Sequence, residues 1–450
     1  MSAPGFLLSP RLRRHFGEAQ ARHAALSQVS DEEWVSRQLT AFQQVWADAC
    51  ADVPYYGDLV AQGLAPREIR SWPDVQSIPV LKREAFQNHP DRFVRRSRQP
   101  DNYMRTAGST GTPLKIGMTQ TERDLMRVVK IAAWQEFGYT PSSRVFLMWG
   151  HSHLLGTGAR GTVNHLKRTV ADRLLGYRRV DAYRLSPAIC AEYAEALIAF
   201  RPMAFISYAS ALDLFARYTL PYRERFRALG LRFVLATAEP PPRPDTTSRL
   251  EDLFGCPVVE EYGGAEFGQV AFKRGRDPFE VYADLNYLEC TAGGPEDEGA
   301  EPVLVTALYP RYVPLVRYRV GDALVGAERR SNGHVGRFAG VAGRINDVIT
   351  LAGGDSIHSV AIFHCIHQED AVHSIQVVLT DDGIDACLVA DGGDRAALEE
   401  RIRRRLAQVH PSLALVRFRY VDDHETSRAG KRRWYVDRRT TTPCVESPAS

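Results

Sequence analysis

The stretch from Thr106 to Lys115, TAGSTGTPLK, combines residue types that bind phosphate groups. Its glycines allow backbone N–H groups to turn toward an anion, and its hydroxyl side chains add further donors. The stretch is not a Walker loop, because Thr112 and Pro113 follow Gly111 where that motif requires lysine and a hydroxyl residue. A polyphosphate-binding loop and a flexible surface linker both remain open from these residues alone.

Composition limits the class of protein that carries this loop. A chain of 450 residues, 44% hydrophobic and 25% charged, predicts a globular protein of two or three domains. The 57 basic and 54 acidic residues nearly balance, so the sequence predicts neither a nucleic-acid nor a membrane partner. The seven cysteines are scattered without CxxC spacing, which favours reduced thiols and no zinc site. With no signal-peptide pattern and no long apolar run, we expect a cytoplasmic protein, either a monomer or a homodimer.

Short apolar runs alternate with helical patterns through the middle of the chain. Runs at 145–150, 204–208, 232–239 and 257–263 predict buried strands, and the stretches 187–200 and 210–218 predict helices. This rhythm predicts an α/β fold with a largely parallel sheet covered on both faces. Beyond Gly275 the strands become shorter and their pattern more antiparallel. The last hundred residues have a β–α–β pattern of their own, which predicts a domain boundary within 343–347.

Further motifs follow the glycine loop in order. They are EYGGAEFG (261–268), PLVRYRVGD (314–322), GRINDVI (343–349) and SRAGKRRWYV (427–436). Their order and spacing resemble the adenylate-forming superfamily of acyl-CoA ligases, luciferases and adenylation domains. Four more stretches resemble the phenylacetate–CoA ligase branch, which includes capsular-polysaccharide and coenzyme-adenylating relatives: VPYYGDL (53–59), IPVLKRE (78–84), RPMAFISYASAL (201–212) and ATAEP (236–240).

The resemblance implies a fold and an activity. The fold is a large N-terminal domain (1–343) with mostly parallel sheets covered by helices and a small β-barrel-like part. A hinge (344–348) leads to a small, mobile α+β C-terminal domain (349–450). The activity is the ATP-dependent activation of a carboxylic acid to an acyl-adenylate, with release of pyrophosphate and then transfer of the acyl group. Such chemistry depends on positioning and charge neutralisation, because two anions must approach each other.

Matched positions carry the implied roles. Lys431 matches the lysine that bridges the carboxylate and the α-phosphate, and Arg344 matches the arginine beside the ribose and phosphate. Asp322 matches the acid that binds the ribose hydroxyls, and Glu266 matches the acid that holds Mg²⁺. The other implied nucleotide-binding residues are Thr106, Gly108, Ser109, Thr110, Gly111, Thr112, Ala238, Glu239, Pro240, Glu261, Tyr262 and Gly263. Taken singly, these acids and Lys431 are typical surface or turn residues; the ordered set of motifs favours function.

The acid substrate is expected beside residues that follow two of the predicted strands. The implied substrate residues are Trp149, His151, His153, Tyr208 and Gly264. His151 is in addition a catalytic candidate that would orient the acid, although a structural histidine remains an alternative. The aromatic pair Trp149 and Tyr208 suggests an aryl acid.

Departures from the family pattern affect what can be predicted about the second step, the transfer of the acyl group to an acceptor. Thr112 stands where this branch often has lysine, and Asn346 stands at the hinge where an acid is expected. His358 replaces a proline of the region that lines the tunnel for the thiol-bound partner, and the acidic pair that follows is missing. Acyl-adenylate formation is therefore better supported than transfer to CoA. CoA is slightly favoured as acceptor, and an amine or a carrier-bound acceptor stays open.

Two other classes of protein remain as alternatives. A non-catalytic relative that senses AMP or an acyl-adenylate would explain the altered glycine loop but not the matched Lys431, Asp322 and Glu266. A nucleotidyl or glycosyl transferase with a doubly wound sheet would leave the segment around Lys431 unexplained.

Overall fold

The computed structural model describes most of the chain, and all structural statements below concern these residues. They are residues 10–26, 29–105, 115–140, 142–149, 158–182, 185, 187–282, 285–292, 300–344, 348–350, 356–358, 362, 365–366, 369, 371–422, 424 and 435–439. Contacts divide the chain into two compact units, of which the first reaches Ala342 and the second begins at Gly343. The hinge expected at 344–348 stays a prediction, because residues 345–347 lie outside the described residues.

Helices surround the sheets of the first unit and cover one sheet of the second. The helices are α1 (Pro10–Leu26), α2 (Asp31–Asp52), α3 (Pro54–Ala61), α4 (Trp72–Ser77), α5 (Arg83–Asn88), α6 (Gln120–Glu136), α7 (Gly158–Leu174), α8 (Pro187–Phe200), α9 (Ala209–Tyr218), α10 (Arg223–Arg227), α11 (Thr246–Phe254) and α12 (Arg395–Val409). None of the helices in the described part of the chain combines the length and apolar character needed to cross a membrane.

The strands of the first unit are β1 (Asn102–Arg105), β2 (Lys115–Met118), β3 (Val145–Met148), β4 (Tyr177–Val180), β5 (Ala204–Tyr208), β6 (Phe233–Thr237), β7 (Val258–Gly264), β8 (Gly268–Arg274), β9 (Phe279–Val281), β10 (Asn286–Cys290), β11 (Ala300–Ala307), β12 (Tyr318–Val325), β13 (Glu328–Arg329) and β14 (Val335–Phe338). Strand β15 (Gly340–Arg344) begins in this unit and ends at the boundary. The second unit has β16 (Val348–Thr350), β17 (Ser356–His358), β18 (Val372–Thr380), β19 (Gly383–Ala390), β20 (Arg417–Tyr420) and β21 (Tyr435–Asp437).

A nine-stranded sheet forms the centre of the first unit, in the order β13-β14-β9-β8-β7-β6-β5-β3-β4. The five strands from β7 to β4 pair in parallel, whereas β7, β8 and β9 pair antiparallel. The expected α/β fold with a largely parallel sheet is confirmed. The part expected to be barrel-like is a four-stranded sheet in the order β10-β11-β12-β15, antiparallel between β10, β11 and β12.

Both faces of the large sheet are buried. On one face, α8, α9 and α11 pack on residues such as Phe205 and Val234, and on the other face α1 and α6 pack on residues such as Ile206 and Leu235. This burial explains why the parallel strands are continuous apolar runs instead of alternating ones. The second unit has its own core, in which α12 packs with the sheet β20-β19-β18-β21.

A buried ion pair joins α6 to the segment before β12. Thr119 and Glu122 form a capping box at the start of α6, and Arg311 donates from Nε to Glu122 at 3.3 Å. The backbone N–H of Tyr312 donates to the same carboxylate at 2.8 Å. Glu122 and Arg311 are each 1% exposed. Because a buried carboxylate that loses its paired cation is costly even when it keeps its hydrogen bonds, removal of Arg311 should destabilise the first unit.

His334 is a second buried polar group of the first unit. Its Nδ1 accepts a hydrogen bond from the backbone N–H of Leu288 at 3.1 Å, which joins the loop before β14 to β10. Burial lowers the pKa of His334 from its ordinary value to about 3, and the nearby Arg330 lowers it further in the same direction. The folded protein therefore holds this histidine neutral near pH 7.

Candidate active site

The carboxyl ends of β5, β6 and β7 meet at one edge of the large sheet, which is where open α/β sheets bind ligands. Glu239, just after β6, accepts a hydrogen bond from the backbone N–H of Ser210 at 2.8 Å and another from its hydroxyl. The contact joins the segment Ala238–Pro240 to the first turn of α9, whose free N–H groups favour a negative charge. Ala238 has a positive φ of 70°, so the chain turns sharply at the expected adenine-contacting residues.

Two of the expected substrate residues lie against each other at this edge. The rings of Trp149 and Tyr208 stack with centroids 4.3 Å apart and planes inclined by 22°. Tyr208 is buried and ends β5, and Trp149 follows β3, which pairs with β5. The stack forms an aromatic surface beside the neighbouring strand ends. His151 and His153 lie outside the described residues.

Tyr262 and Asp322 connect two of the sequence motifs. The hydroxyl of Tyr262, on β7, donates a hydrogen bond to Oδ2 of Asp322, on β12, at 3.1 Å. The ring of Tyr262 is 7% exposed and packs edge-on against Phe338. Tyr262 was expected beside the adenine and Asp322 beside the ribose, and the fold brings these two residues together from positions 60 apart in the chain.

Close packing requires the glycines that follow Tyr262. The pairing of β7 with β8 has a bulge between Tyr262 and Gly263. A Cβ at Gly263 would lie 2.3 Å from the backbone oxygen of Gly268, and a Cβ at Gly264 would lie 2.7 Å from the ring of Phe267. Side chains at either position would push the strands apart, so glycine here serves the close approach of β7 to its neighbours.

The side chain of Glu261 lies on the opposite face of β7 from that of Tyr262. Its Oε1 accepts a hydrogen bond from the hydroxyl of Thr237 at 2.9 Å, and Lys130 and Trp134 of α6 and Gln269 of β8 lie beside it as well. Burial raises the pKa of Glu261, and Lys130 and Thr237 offset part of that increase. Because successive side chains of a strand point to opposite faces, the carboxylate of Glu261 contacts α6 while Tyr262 contacts Asp322. Its expected nucleotide-binding role stays a prediction.

Glu266, the expected metal ligand, forms an ion pair with Arg83. Nη1 of Arg83 lies 3.1 Å from Oε1 of Glu266, and Glu266 is 6% exposed. Within the described ranges, no three His, Cys, Asp or Glu side chains lie together as a metal cluster. A nucleotide-bound Mg²⁺ takes most of its ligands from phosphate and water, so a single carboxylate is enough for this kind of site. In this structure Arg83 is the partner of Glu266, and the metal role of Glu266 stays a prediction.

The remaining expected residues are placed in part or not at all. Arg344 ends β15, and nothing is described of its side chain. Lys431 and the six loop residues between Thr106 and Thr112 lie outside the described residues. Their roles stay predictions from the sequence.

Sequence reasoning assigned no role to Arg83 and Ser210, although both lie within stretches that carry the family resemblance. Arg83 belongs to IPVLKRE and pairs with a residue 183 positions away. Ser210 is the first residue of a predicted helix, and helix starts favour contacts with acidic side chains. That position was the signal in the sequence that could have indicated the contact with Glu239.

Comparison with solved structures identifies the fold. A crystal structure of 2-hydroxyisobutyryl-CoA ligase in the postadenylation state matches 90% of this chain and 89% of its own, with 19% identity and a TM-score of 0.63. The chain has the fold of the adenylate-forming enzymes. The same ligase in an open conformation with its acyl-AMP and CoA matches 90% of this chain and 91% of its own, with 20% identity and a TM-score of 0.55.

A structure from another activity class also matches. The amide bond synthetase McbA from Marinactinospora thermotolerans covers 74% of this chain and 67% of its own, with 17% identity and a TM-score of 0.51. No family model matches the chain, and no curated protein matches it in sequence. The resemblance to the adenylate-forming superfamily that the sequence motifs predict is confirmed at the level of the fold.

Proposed function

We propose that the protein is an AMP-forming ligase that activates a carboxylic acid with ATP and then transfers the acyl group. The hydrogen bond between Tyr262 and Asp322 carries this proposal. It joins the two motifs whose matched residues bind the adenine and the ribose, within a fold that matches ligases solved with acyl-adenylates. A carboxylate has two oxygens that can each accept hydrogen bonds, so Asp322 can accept from Tyr262 and from a ribose hydroxyl at the same time.

In the first half-reaction, the formation of the acyl-adenylate, each matched group has one role. The segment from Thr106 to Thr112 would bind the β- and γ-phosphates, and Glu266 would hold an Mg²⁺ ion that neutralises charge on them. Lys431 brings the substrate carboxylate and the α-phosphate together, and Arg344 binds beside the ribose. The carboxylate oxygen then attacks the α-phosphorus, and pyrophosphate leaves.

The acid binds against the stacked pair Trp149 and Tyr208. Their flat, largely apolar surface at the sheet edge favours a substrate with a planar or aryl group, since aromatic rings prefer offset stacking or edge contacts with other rings. His151, His153 and Gly264 complete the expected pocket.

CoA is our favoured acceptor, and an amine is the second candidate. Structures with the same fold include a CoA ligase and an amide bond synthetase, and these two activities support both kinds of acceptor. The replaced proline and acids near His358 weaken the case for CoA.

Acid-dependent exchange of labelled pyrophosphate into ATP tests the first step. The purified protein is incubated with ATP, Mg²⁺ and a mixed library of aryl and aliphatic acids, and acyl-adenylates are identified by mass spectrometry. We expect exchange with at least one acid, and we expect Lys431→Ala to lower its rate by orders of magnitude while ATP still binds. Arg404→Ala removes an exposed cation of α12 and serves as the matched control.

The outcomes separate the classes of protein. ATP binding without exchange across the whole library would indicate a nucleotide sensor. Normal exchange by the Lys431→Ala variant would contradict the assigned role of the lysine. Adding CoA or a panel of amines to the active acid then identifies the acceptor, because only the true acceptor turns over the adenylate rapidly.

A further inference from the structure

The outward face of α7 is apolar although it is exposed. Val163, Leu166, Val170 and Leu174 are 49%, 65%, 50% and 39% exposed. Together with Leu175 they make up five of the ten exposed large hydrophobic side chains in the described part of the chain. Isolated exposed apolar residues are normal, but such a concentration on one helix indicates an interaction surface.

The helix places these side chains in one stripe. With 3.6 residues per turn, positions 163, 166, 170 and 174 fall within about a quarter of the helix circumference. Asp172 lies on the opposite side, is 9% exposed, and pairs with Arg179 of β4 at 2.9 Å. The face toward the sheet is therefore anchored by an ion pair, and the apolar stripe points away from the sheet.

The width and spacing of the stripe fit a helix better than a lipid surface. Val163, Leu166 and Val170 follow one another at intervals of three and four residues, as a, d and a positions of a heptad do, with β-branched residues at a and leucine at d. Leu174 follows after four more residues in place of the next d position, and Arg173 lies at the edge of the stripe. A narrow stripe of this kind is a helix–helix seam, whereas helices that lie in a membrane interface present a broad face that carries large apolar and aromatic residues.

The charges beside the stripe determine the chemistry of the partner. Lys167 and Arg173 flank it and are exposed, while Asp172, the one acid in the sequence of α7, is buried in its ion pair. If two copies of this face packed together, their basic side chains would lie close to each other and their repulsion would destabilise the dimer. Acidic residues at the flanking positions of another helix would complement it.

We propose that the stripe Val163–Leu166–Val170–Leu174 docks an amphipathic helix of a partner protein, whose apolar seam is flanked by acidic side chains. The valines and leucines supply the apolar contact, and Lys167 and Arg173 select acidic flanks and set the orientation.

Binding of synthetic three-heptad peptides, measured by fluorescence anisotropy, tests this docking. One peptide has leucine at a and d and glutamate at e and g, and the matched peptide has lysine in place of glutamate. We expect the wild-type chain to bind the glutamate peptide at least about tenfold more tightly at low salt. Leu166→Glu should abolish that binding, and the double variant Lys167→Glu/Arg173→Glu should reverse the preference.

Leu415→Glu is the matched control, because Leu415 is 79% exposed at a distant site in the chain. This variant should bind both peptides as the wild type does. Equal binding of the two peptides by the wild type would overturn the proposal. The proposal would also be overturned if the wild type sedimented with phosphatidylserine vesicles and Leu166→Glu did not, because that result would indicate a lipid surface. Analytical ultracentrifugation gives a third outcome that would overturn the proposal. If the wild type is a dimer and Leu166→Glu is a monomer, the stripe binds a second copy of this chain.

Discussion

Removal of the Tyr262 hydroxyl should weaken ATP binding while leaving the fold intact. Tyr262→Phe keeps the ring, which packs on Phe338, and deletes the 3.1 Å hydrogen bond to Asp322. Hydrogen bonds to charged groups contribute about 1.5–3 kcal/mol. Asp322 is partly exposed, so solvent screening places the loss near the lower end of that range. Since about 1.4 kcal/mol corresponds to a tenfold change, we expect the Kd for ATP to rise roughly tenfold.

Isothermal titration calorimetry with a non-hydrolysable ATP analogue measures this change. Tyr309→Phe is the matched control, because the Tyr309 hydroxyl is buried and has no hydrogen-bond partner among the described residues. That variant should bind the analogue as the wild type does. Asp322→Asn should weaken binding at least as much as Tyr262→Phe. If Tyr262→Phe and Asp322→Asn both bind the analogue within about twofold of the wild type, the assignment of Asp322 to the ribose is wrong.

Three further predictions concern stability. Arg311→Met should lower the free energy of unfolding in urea by about 3–5 kcal/mol, because it leaves the Glu122 carboxylate buried without its cation. Gly263→Ala should abolish ATP binding and lower the midpoint of thermal unfolding, since its Cβ would lie 2.3 Å from a backbone oxygen of β8; Gly340→Ala, with nothing within 4 Å, is the control. His334 has a folded pKa of about 3, below its ordinary 6.5, so its contribution to stability is complete above pH 6.5 and is lost as the pH falls. The free energy of unfolding should fall by roughly 1 kcal/mol more in the wild type than in His334→Asn between about pH 7 and about pH 5.5, as measured by urea unfolding at each pH.

Apolar periodicity was sufficient to predict four of the five parallel strands of the large sheet, β3, β5, β6 and β7. The strand at 204–208 and the helix at 187–200 have the predicted bounds, because uninterrupted apolar runs and helical spacing are local properties of the sequence. Ordered motifs then identified the fold, since their spacing depends on the elements between them.

Local patterns did not indicate the partners of the charged side chains. Arg83 and Glu266 are 183 positions apart, and nothing near either residue specifies the other. The direction of the Glu261 side chain depends on the register of β7, and a shift of one residue would have exchanged it with Tyr262. The exposed stripe on α7 has the spacing of an ordinary buried helix face, so only the structure distinguishes the two.

Adjacent residues of β7 contact opposite layers of the first unit, so α6 packs against the same strand that carries Tyr262 of the proposed nucleotide site. Because Glu261 and Tyr262 are consecutive residues of β7, we expect substitutions of Lys130 or Trp134 that displace the Glu261 carboxylate to change the position of Tyr262 as well. Screens for altered ATP affinity should therefore yield substitutions in α6 as well as substitutions of residues expected to contact ATP. Such changes would alter the proposed site without replacing any residue expected to contact the nucleotide.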